Sequence, residues 1–573
     1  MLKRRFDKLL TEGLGRQLIW LFAIIIGAFI LFWLISVIFF PEWKFGWQDI
    51  IALIIDGGNF SGAGEHDFFR LLIAFTGMFL FSALLISVFT NIFDNISEAV
   101  QKGQRRYKIK KHVIIFGAGE QLVHLLNVFF EKNSDKDVIV MTNEEIDQLK
   151  DRVRAQLFNP DNLGRIIFYS GERDNRNAVQ STCPQDATLI YILGEKEEQN
   201  RDSRNMHCAD ILTDLCRTGD HAIQGFLILE DPSAVDVNTL LDNSETNSDL
   251  HIEIINLLEY FAEIVTVYQG KDFLPVLNKE SDKYARLVIF GTSHMARALA
   301  IQAAHVMHYP NFDGQRRSVI TVIGKEMNEW MDDLIASRQT LFSLSTYEYI
   351  SPEGEITLRE PTSEYAPMID IRWQFIDSHD SSPMVADLLK TWAADEAQEM
   401  CIAICHDDQQ RNATTALHLP HELYNKNICV YLKHYDSLLA KANATGRFGH
   451  IRYFGSAAEE FHDTMFFQRT TRGIKVLQLL LGIPEDDYET ALSAWYKASE
   501  ELKNECLQCS NTLPLKIRCI SPDDPEFFDM EHRRWMISRF LLNADTSYFE
   551  APDDLQDEQY KLIVDNIHYI IEN

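Results

Sequence analysis

Two glycine-rich turns in the sequence have the residue types that bind phosphate groups in nucleotide-binding proteins. The first, Gly117-Ala-Gly119, follows the apolar segment 112–116, and Glu144 follows the next apolar segment along the chain. The second turn, Gly291-Thr-Ser293, follows the apolar segment 285–290 in the same way. A strand that leads through such a turn into a helix, with an acid after the next strand, is typical of the doubly wound dinucleotide-binding fold. The sequence therefore predicts two Rossmann-like α/β domains, each with a candidate ligand site at its turn.

Both turns depart from the full Gly-x-Gly-x-x-Gly pattern. Leu122 replaces the third glycine of the first turn, and Ser293 replaces the second glycine of the second turn. These changes weaken the prediction of dinucleotide binding more than the prediction of the fold. His294 could contact a phosphate, or it could be an ordinary surface histidine. The residues that we expect to contact a nucleotide are Gly117, Gly119, Glu144, Gly291, Ser293 and Asp407, the last of which follows the later apolar segment 400–405.

A third candidate site lies near the N-terminus, where the apolar run 47–55 leads into Asp56-Gly-Gly-Asn59. A helix that crosses a bilayer needs about 20 residues, so this short run predicts a re-entrant half-helix followed by irregular backbone. Backbone carbonyls and a carboxylate at such a turn suit a cation. We expect a selectivity filter in the range 47–60, formed by Ile54, Ile55, Asp56, Gly57, Gly58 and Asn59. The alternative is an extracellular turn closed by the same residues.

Two longer apolar segments flank this loop, and both are predicted to span a membrane. They are residues 18–40, which contain no charged side chain, and residues 69–94. Lysines and arginines flank their outer ends, which places both termini in the cytoplasm of a multi-pass cell (inner) membrane protein. Polar side chains recur at helical spacing in and just after the second segment, as expected for an inner vestibule: Ser87, Asn91, Asp94 and Glu98. The alternative is a helix that simply leaves the membrane near Asn91, and Gly77 could provide a bend.

The charge distribution separates this N-terminal part from the rest of the chain. Residues 1–111 contain 13 Lys and Arg and nine Asp and Glu, a net charge of +4, so the remainder carries −34 and the whole chain −30. Such an acidic body argues against nucleic-acid binding. The nine cysteines show no disulfide pattern, and Cys506-Leu-Gln-Cys509 lacks the second matched pair of a zinc site. With no catalytic constellation either, we expect no metal site, no catalytic residue and no enzyme activity.

Three stretches near the pore region carry a resemblance to a known family. They are Ile-Ile-Asp-Gly-Gly-Asn-Phe at 54–60, Gly-Met-Phe-Leu-Phe-Ser at 77–82 and Asp-Asn-Ile-Ser-Glu-Ala-Val at 94–100. With Asn200-Arg-Asp-Ser-Arg204, they resemble the CASTOR/POLLUX ion channels over about residues 45–280. The resemblance implies a tetrameric cation channel whose cytoplasmic regulatory domains are similar to those of potassium channels (RCK domains). The potassium signature Thr-Val-Gly-Tyr-Gly is absent, so the selectivity among K⁺, Na⁺ and Ca²⁺ stays open.

Two later stretches resemble other modules. Cys405-His-Asp-Asp408 followed by Asn412-Ala413 resembles a TrkA-type NAD-binding (TrkA-N) domain. The helix 502–517 with Glu-His-Arg-Arg-Trp at 531–535 resembles the ryanodine-receptor-type repeat (RyR) domain of prokaryotic proteins, although the usual Gly-Trp-x-Tyr-Gly after Leu542 is missing. The resemblance implies a small nucleotide-like ligand, with Glu531, His532, Arg534 and Trp535 as candidate contacts. The alternative is that Trp535 belongs to a core while the charged side chains are solvated.

The whole sequence therefore predicts an α-helical membrane pore module, two α/β Rossmann-like RCK domains and a small α-helical C-terminal domain. The predicted boundaries are 1–107, 108–280, 281–483 and 484–573. We expect a homotetrameric, ligand-gated channel in membrane lipid, passing K⁺ or poorly selective and Ca²⁺-permeable. Its ring would be regulated by Ca²⁺ or by a nucleotide such as NAD, ATP or an ADP-ribose-like molecule. The alternatives are a membrane effector that depolarises the cell on sensing a nucleotide messenger, a membrane-bound NAD-dependent oxidoreductase, and a non-conducting transport regulator.

Overall fold

The structure of the protein is a computed structural model. It describes residues 14–39, 41, 46–56, 60, 67–133, 136–196, 198–217, 222–230, 249–268, 273–363, 366–434, 437–444, 446, 448, 451–456, 463–543 and 561–571. The chain divides into two compact units, residues 1–106 and residues 107–573.

Among its described residues, the first unit contains three helices: α1 (Leu14–Phe39), α2 (Trp47–Ile55) and α3 (Asp67–Gln101). Helix α2 has the same bounds as the apolar run that the sequence predicts as a half-helix. At its N-terminus the Gly46 amide donates a hydrogen bond to the Asp49 carboxylate at 2.9 Å. Many apolar side chains of α1 and α3 are exposed, among them Ile38, Phe39, Phe75 and Phe79. Among the residues that the structure describes, no helix combines the length and the apolar character needed to cross a membrane.

Helix α2 packs against both longer helices through its apolar side chains. The small core of this unit consists of Phe32, Ile50, Leu53, Ile54, Ile73 and Ala74. Gly77 of α3 lies directly against the last turn of α2, because a Cβ atom at Gly77 would lie 2.4 Å from the Ile54 Cα and 2.5 Å from the Ile54 carbonyl oxygen. No other residue type allows this approach without a shift of the backbone. The structure thus gives Gly77 a packing role beside the predicted filter.

The second unit begins with a six-stranded parallel sheet in the order β3-β2-β1-β4-β5-β6. Its strands are β1 (His112–Phe116), β2 (Val138–Thr142), β3 (Ile166–Ser170), β4 (Ala187–Ile192), β5 (Ile223–Leu229) and β6 (Leu250–Asn256). The helices of this part are α4 (Leu122–Lys132), α5 (Ile146–Gln156), α6 (Arg176–Gln180) and α7 (Arg201–Leu215). This strand order is that of a doubly wound Rossmann fold, in which ligands bind at the carboxyl ends of the strands.

A second sheet repeats the arrangement. Its order is β10-β9-β11-β8-β7-β12-β13-β14, so that the last six strands repeat the first sheet and β9–β10 form an added antiparallel hairpin. The strands are β7 (Tyr284–Phe290), β8 (Ser318–Gly324), β9 (Thr346–Ile350), β10 (Ile356–Arg359), β11 (Ile371–Asp377), β12 (Gln398–Ile404), β13 (Asn427–Tyr431) and β14 (Ile451–Phe454). The helices are α8 (Leu257–Glu263), which follows β6, and then α9 (His294–Val306), α10 (Met327–Ser337), α11 (Gln339–Leu344), α12 (Pro383–Ala394), α13 (Gln409–Leu417) and α14 (Ser437–Ala444).

The prediction of two Rossmann-like α/β domains is confirmed by these two sheets. The central strands are buried on both faces, as His112–Phe116 and Ser318–Gly324 show, and they therefore appear in the sequence as continuous apolar runs. Strands nearer the edges of the sheets did not give that signal. Strand β10 is exposed along its whole length, and β6 has four half-buried residues.

Helices close the chain at its C-terminal end. They are α15 (Asp463–Leu480), α16 (Tyr488–Lys497), α17 (Glu500–Cys519), α18 (Pro525–Leu541) and α19 (Ile567–Ile571). Helix α17 lies at the centre of this group, because its residues Cys506–Leu513 are all buried. Helix α18 packs on α17 and on α9 of the second sheet. The C-terminal helices therefore share a hydrophobic core with the Rossmann-like part of the same unit.

Candidate functional site

The first glycine-rich turn is occupied by a side chain of the protein itself. Gly117 has a φ of +93°, and a Cβ there would lie 2.2 Å from the Gly194 carbonyl oxygen, so the position requires glycine. One carboxylate oxygen of Glu195 accepts hydrogen bonds from the Ala118 amide and from the Thr142 hydroxyl, both at 2.8 Å. The other accepts from the Asn143 amide at 3.1 Å. The carboxylate thus lies where this fold usually holds a phosphate anion.

The other predicted residues of the first site are also held by neighbours. Glu144, the acid after β2, pairs with Arg152 at 3.2 Å, and Arg152 also donates to the Ala118 carbonyl at 2.8 Å. The Gly119 amide donates to the Gly194 carbonyl at 2.9 Å. The structure therefore brings Gly117, Gly119 and Glu144 together at one edge of the sheet, around a carboxylate that the sequence analysis did not single out.

The second glycine-rich turn is not filled by a carboxylate of this kind among the described residues. Gly291 has a φ of +112°, and a Cβ there would lie 2.6 Å from the Cys405 carbonyl oxygen. The Ser293 hydroxyl donates to the same carbonyl and accepts from the Ala296 amide at 3.1 Å, which caps α9. Asp407 is the third residue after β12, as Glu195 is after β4. Glu195 is buried in its turn, whereas Asp407 is exposed, so the second turn does not contain the equivalent carboxylate.

Each domain has an arginine followed directly by an asparagine in the helix near its turn. Asn205 donates to the Ile228 carbonyl at 2.9 Å, and Asn412 donates to the Tyr431 carbonyl at 2.9 Å, so each ties its helix to the next strand. The preceding arginines, Arg204 and Arg411, pair with acids that follow β3 and its counterpart β11. The first domain uses Asp174, and the second uses Asp380, whose pKa His406, Thr415 and Arg411 hold far below its usual value despite partial burial. These contacts hold the carboxyl ends of β5 and β13 and the segments that follow β3 and β11, at the same edge of each sheet as the turns.

A cavity of about 870 Å³ opens between the carboxyl ends of the two sheets. Its lining includes the residues directly after both turns, namely Glu120 and Gln121 in the first domain and His294 and Met295 in the second. Other parts of the wall come from the start of α7, from α8 and from Asp407. The cavity therefore reaches the N-terminal turn of α9, where backbone amides and the helix dipole favour an anion.

The residues predicted to line the pore lie partly outside the described part of the chain. Ile54 is buried, whereas Ile55 and Asp56 are exposed. Gly57, Gly58 and Asn59 lie outside the described residues, and so do the side chains of Ser87, Asn91 and Asp94. Glu98 is exposed and pairs with Lys102 at 2.5 Å. The assignments of a filter and of a vestibule remain predictions.

The four residues that the sequence suggests as ligand contacts of the C-terminal helices lie on α18. Glu531 is 1% exposed and receives hydrogen bonds from Arg534, and the Lys516 amine of α17 lies against its other carboxylate oxygen. Trp535 is buried and donates from its indole nitrogen to Glu505 at 2.7 Å. The charged side chains of Glu531 and Arg534 are thus buried, where one alternative expected solvated groups. His532 is half-buried, with its ring centroid 6.1 Å from that of Trp535.

Histidine, cysteine and acidic side chains are the possible metal ligands of the protein. Among the described residues, no three histidine, cysteine or acidic side chains lie close enough together to hold a metal ion. All nine cysteines are free thiols. Burial raises the pKa of Cys506 and Cys509 above the usual value of a thiol, which opposes the thiolate that zinc requires.

Glu195 and Gln121 are the functional candidates that sequence reasoning missed. Each lies within four residues of a predicted strand or turn, but a glutamate after β4 and a glutamine after a Gly-x-Gly turn belong to no common motif. The comparison of the two domains could have identified Glu195, since it aligns with Asp407 once the strands are matched. Gln121 is identified only by its burial in the wall of the cavity.

No protein-family model matches the sequence, and no curated protein matches it. The solved structures similar to the chain include GsuK bound to ADP, with a TM-score of 0.39 and 12% sequence identity over 80% of this chain and 100% of that chain. They include the GsuK RCK domain, with a TM-score of 0.33 and 10% identity over 65% of this chain and 82% of that chain. The human SLO3 gating ring has a TM-score of 0.36 and 11% identity over 66% of this chain and 86% of that chain. Similarity at this level does not establish a function.

Proposed function

We propose that the chain is the subunit of a ligand-regulated cation channel in a cell membrane, without enzyme activity and assembled as a homotetramer. In this proposal the first unit forms the pore, and the two Rossmann-like domains form the ring that senses the ligand. The CASTOR/POLLUX, RCK and RyR resemblances of the sequence support the proposal. They agree with a second unit built from two sheets that share one six-strand order.

The contact between Gly77 and Ile54 is the observation that best supports a pore in the first unit. Helix α2 has only nine residues, and its last turn lies against a glycine of α3 so closely that a Cβ would be 2.4 Å from the Ile54 Cα. A short helix that ends against a long one, directly before a glycine-rich segment, is the arrangement that presents backbone carbonyls to an ion. Asp56 follows at the C-terminal end of α2, where a helix dipole favours a cation.

The ligand proposal rests on the difference between the two glycine-rich turns. The residues after both turns line the cavity, but Glu195 fills the first turn, whereas its counterpart Asp407 is exposed and does not fill the second. We therefore place a nucleotide at the second domain, with Gly291 allowing close approach and Asp407 at the edge of the site. ADP, which one of the similar structures contains, is a suitable first probe, together with NAD, ATP and ADP-ribose.

Binding would reach the pore through the connecting segment at residues 98–110. Tyr107 is anchored in the second unit, because its amide donates to the Tyr169 hydroxyl on β3 at 2.7 Å. A ligand that favours one arrangement of the Rossmann-like domains would move this anchor. It can shift opening only by its differential affinity for the two states.

The experiment is single-channel recording of the purified protein in planar bilayers with asymmetric KCl and with each ligand, including Ca²⁺, added in turn to the cytoplasmic side. The proposal expects cation current whose open probability depends on a ligand. Asp56→Asn should lower conductance or change selectivity, and truncation after Tyr107 should abolish the ligand response. Glu355→Gln is the control, since this exposed acid lies beside the β9–β10 hairpin. Silence from protein shown to be tetrameric would favour the non-conducting regulator, whereas turnover of NAD would favour the oxidoreductase.

A further inference from the structure

The cavity between the two sheets is rich in carboxylates. Six acids line it against one arginine and one lysine: Glu120, Glu198, Asp202, Asp210, Glu230 and Asp407, with Arg201 and Lys433. Three of the acids are held by their neighbours, since Glu198 pairs with Arg173, Glu230 pairs with Arg201, and Asp202 accepts from the Glu230 amide. The other three acids, which lie on three different elements, are exposed: Glu120, Asp210 and Asp407.

Acids of both domains converge around one buried phenol. Tyr431 is 5% exposed in the wall of the cavity, and Gly455 is required beside it because a Cβ there would lie 2.3 Å from its ring. Burial raises the pKa of Tyr431, and the nearby carboxylates of Glu230, Asp407 and Glu120 raise it further. Two of these acids belong to the first domain and one to the second. Both walls of the site therefore carry carboxylates, of which Glu230 is paired with Arg201 and Glu120 lies 3.9 Å from His434 Nε2.

A buried acceptor in the same wall is left unsatisfied. Gln121 is 4% exposed, and its Oε1 atom has no hydrogen-bond partner among the described residues. A buried polar atom of this kind costs free energy unless a donor reaches it. Gln121 lies directly after Glu120, so this unsatisfied acceptor and an exposed carboxylate belong to adjacent residues of the wall.

The lining also has an apolar part. Leu257, Leu258 and Phe261 of α8 contribute, together with Met206 and Met295. The acids are also spread along the cavity, because Asp202 and Asp210 lie eight residues apart on α7, about 12 Å along a helix. Divalent metal ions need their oxygen ligands within about 2.6 Å of one point. Separated carboxylates with apolar surface between them suit a chain of ammonium groups joined by methylene segments.

We propose that this cavity binds a linear organic polyamine, which bridges the two Rossmann-like domains through Glu120 and Asp407. One ammonium group donates to Glu120 and to Gln121 Oε1, and another donates to Asp407 across the cavity. The methylene segments lie against α8, and Tyr431 offers its ring to a cation. Because the ligand holds both walls, it stabilises one arrangement of the domains. The cavity and Asp407 are shared with the nucleotide site proposed above, so the polyamine is tested in the absence of nucleotide.

The test is calorimetric titration of the purified full-length chain with spermine at constant ionic strength. Wild type and the control Glu355→Gln should bind alike, whereas Glu120→Gln and Asp407→Asn should each weaken binding about tenfold, as expected for loss of one charge-assisted hydrogen bond. Both substitutions are nearly isosteric and lie at exposed positions, so the fold should survive. Thermal unfolding should show a spermine-dependent rise in Tm for wild type that Asp407→Asn diminishes.

Other results would overturn the proposal. Equal spermine affinity in all four proteins would show non-specific attraction to an acidic surface. Binding of Ca²⁺ or Mg²⁺ that depends on Glu120 and Asp407, without any heat from spermine, would assign the cavity to a metal ion instead. Neither outcome bears on channel activity, which the bilayer recordings measure separately.

Discussion

Arg469 of α15 donates two hydrogen bonds to the buried carboxylate of Glu263 at the end of α8, from Nε at 2.9 Å and from Nη2 at 3.0 Å. Glu263 is 1% exposed. The pair joins the C-terminal helices to the segment that connects the two sheets. The two hydrogen bonds between these groups offset much of the free-energy cost of removing both charges from water.

Replacement of Arg469 by leucine should therefore destabilise the fold strongly. The substitution leaves the Glu263 carboxylate buried without its partner, a loss of about 3–5 kcal/mol. Arg176→Leu is the matched control, because the pair of Arg176 with Asp214 is exposed and should contribute no more than about 1 kcal/mol. Denaturant unfolding of the two purified variants measures the difference. Similar losses in both would show that the Glu263 pair contributes no more than a surface pair.

Glu253 makes the same connection sensitive to pH. It accepts a hydrogen bond from Thr470, and burial raises the pKa of Glu253 to about 7, against the opposing effects of Thr470 and Arg469. Because the folded-state pKa lies above the value of an unfolded glutamate, the folded state holds a proton that the unfolded state has lost. Stability should fall as the pH rises from about 4.5 to about 7 and then level off.

Glu253→Gln tests this dependence, because glutamine keeps the shape of the protonated acid and cannot titrate. The Tm of wild type measured against pH should fall between pH 4.5 and 7 relative to that of the variant. Thr470→Val is a second variant, since it removes the donor and should raise the pKa of Glu253 further. Parallel pH profiles for wild type and Glu253→Gln would contradict the prediction.

The Rossmann-like domains could be predicted from sequence because their central strands are buried on both faces. Strand β1 is predicted with its observed bounds, His112–Phe116, and the Gly291 turn lies where the pattern places it. The side chains that decide whether the turns are open could not be predicted. Glu195 reaches the Ala118 amide across 77 residues of sequence, and nothing local marks such a contact. The burial of Glu531 against Lys516 likewise depends on the packing of two helices.

Removal of the Glu195 carboxylate should open the first turn to anions. Glu195→Ala frees the Ala118 and Asn143 amides, which should lower stability by about 2 kcal/mol and create a second phosphate-binding turn. In a calorimetric titration with ADP, the stoichiometry per chain should rise by one. Glu172→Ala is the control, because it removes an exposed carboxylate near the same edge without touching the Ala118 amide. An unchanged stoichiometry in Glu195→Ala would show that the turn is closed by something other than this carboxylate.

Gly77 offers the sharpest test of the first unit, because the chain contains a helix glycine that serves as its control. A methyl group at Gly77 would meet the backbone of Ile54 at 2.4–2.8 Å, whereas nothing lies within 4 Å of a Cβ at Gly27 of α1. Gly77→Ala should therefore cost about 1–3 kcal/mol through overpacking, and Gly27→Ala should stabilise its helix by up to about 1 kcal/mol. If α2 positions the filter, Gly77→Ala should also reduce or abolish single-channel current while Gly27→Ala conducts normally. Normal current from a stable Gly77→Ala protein would refute the role of the α2–α3 contact in shaping the pore.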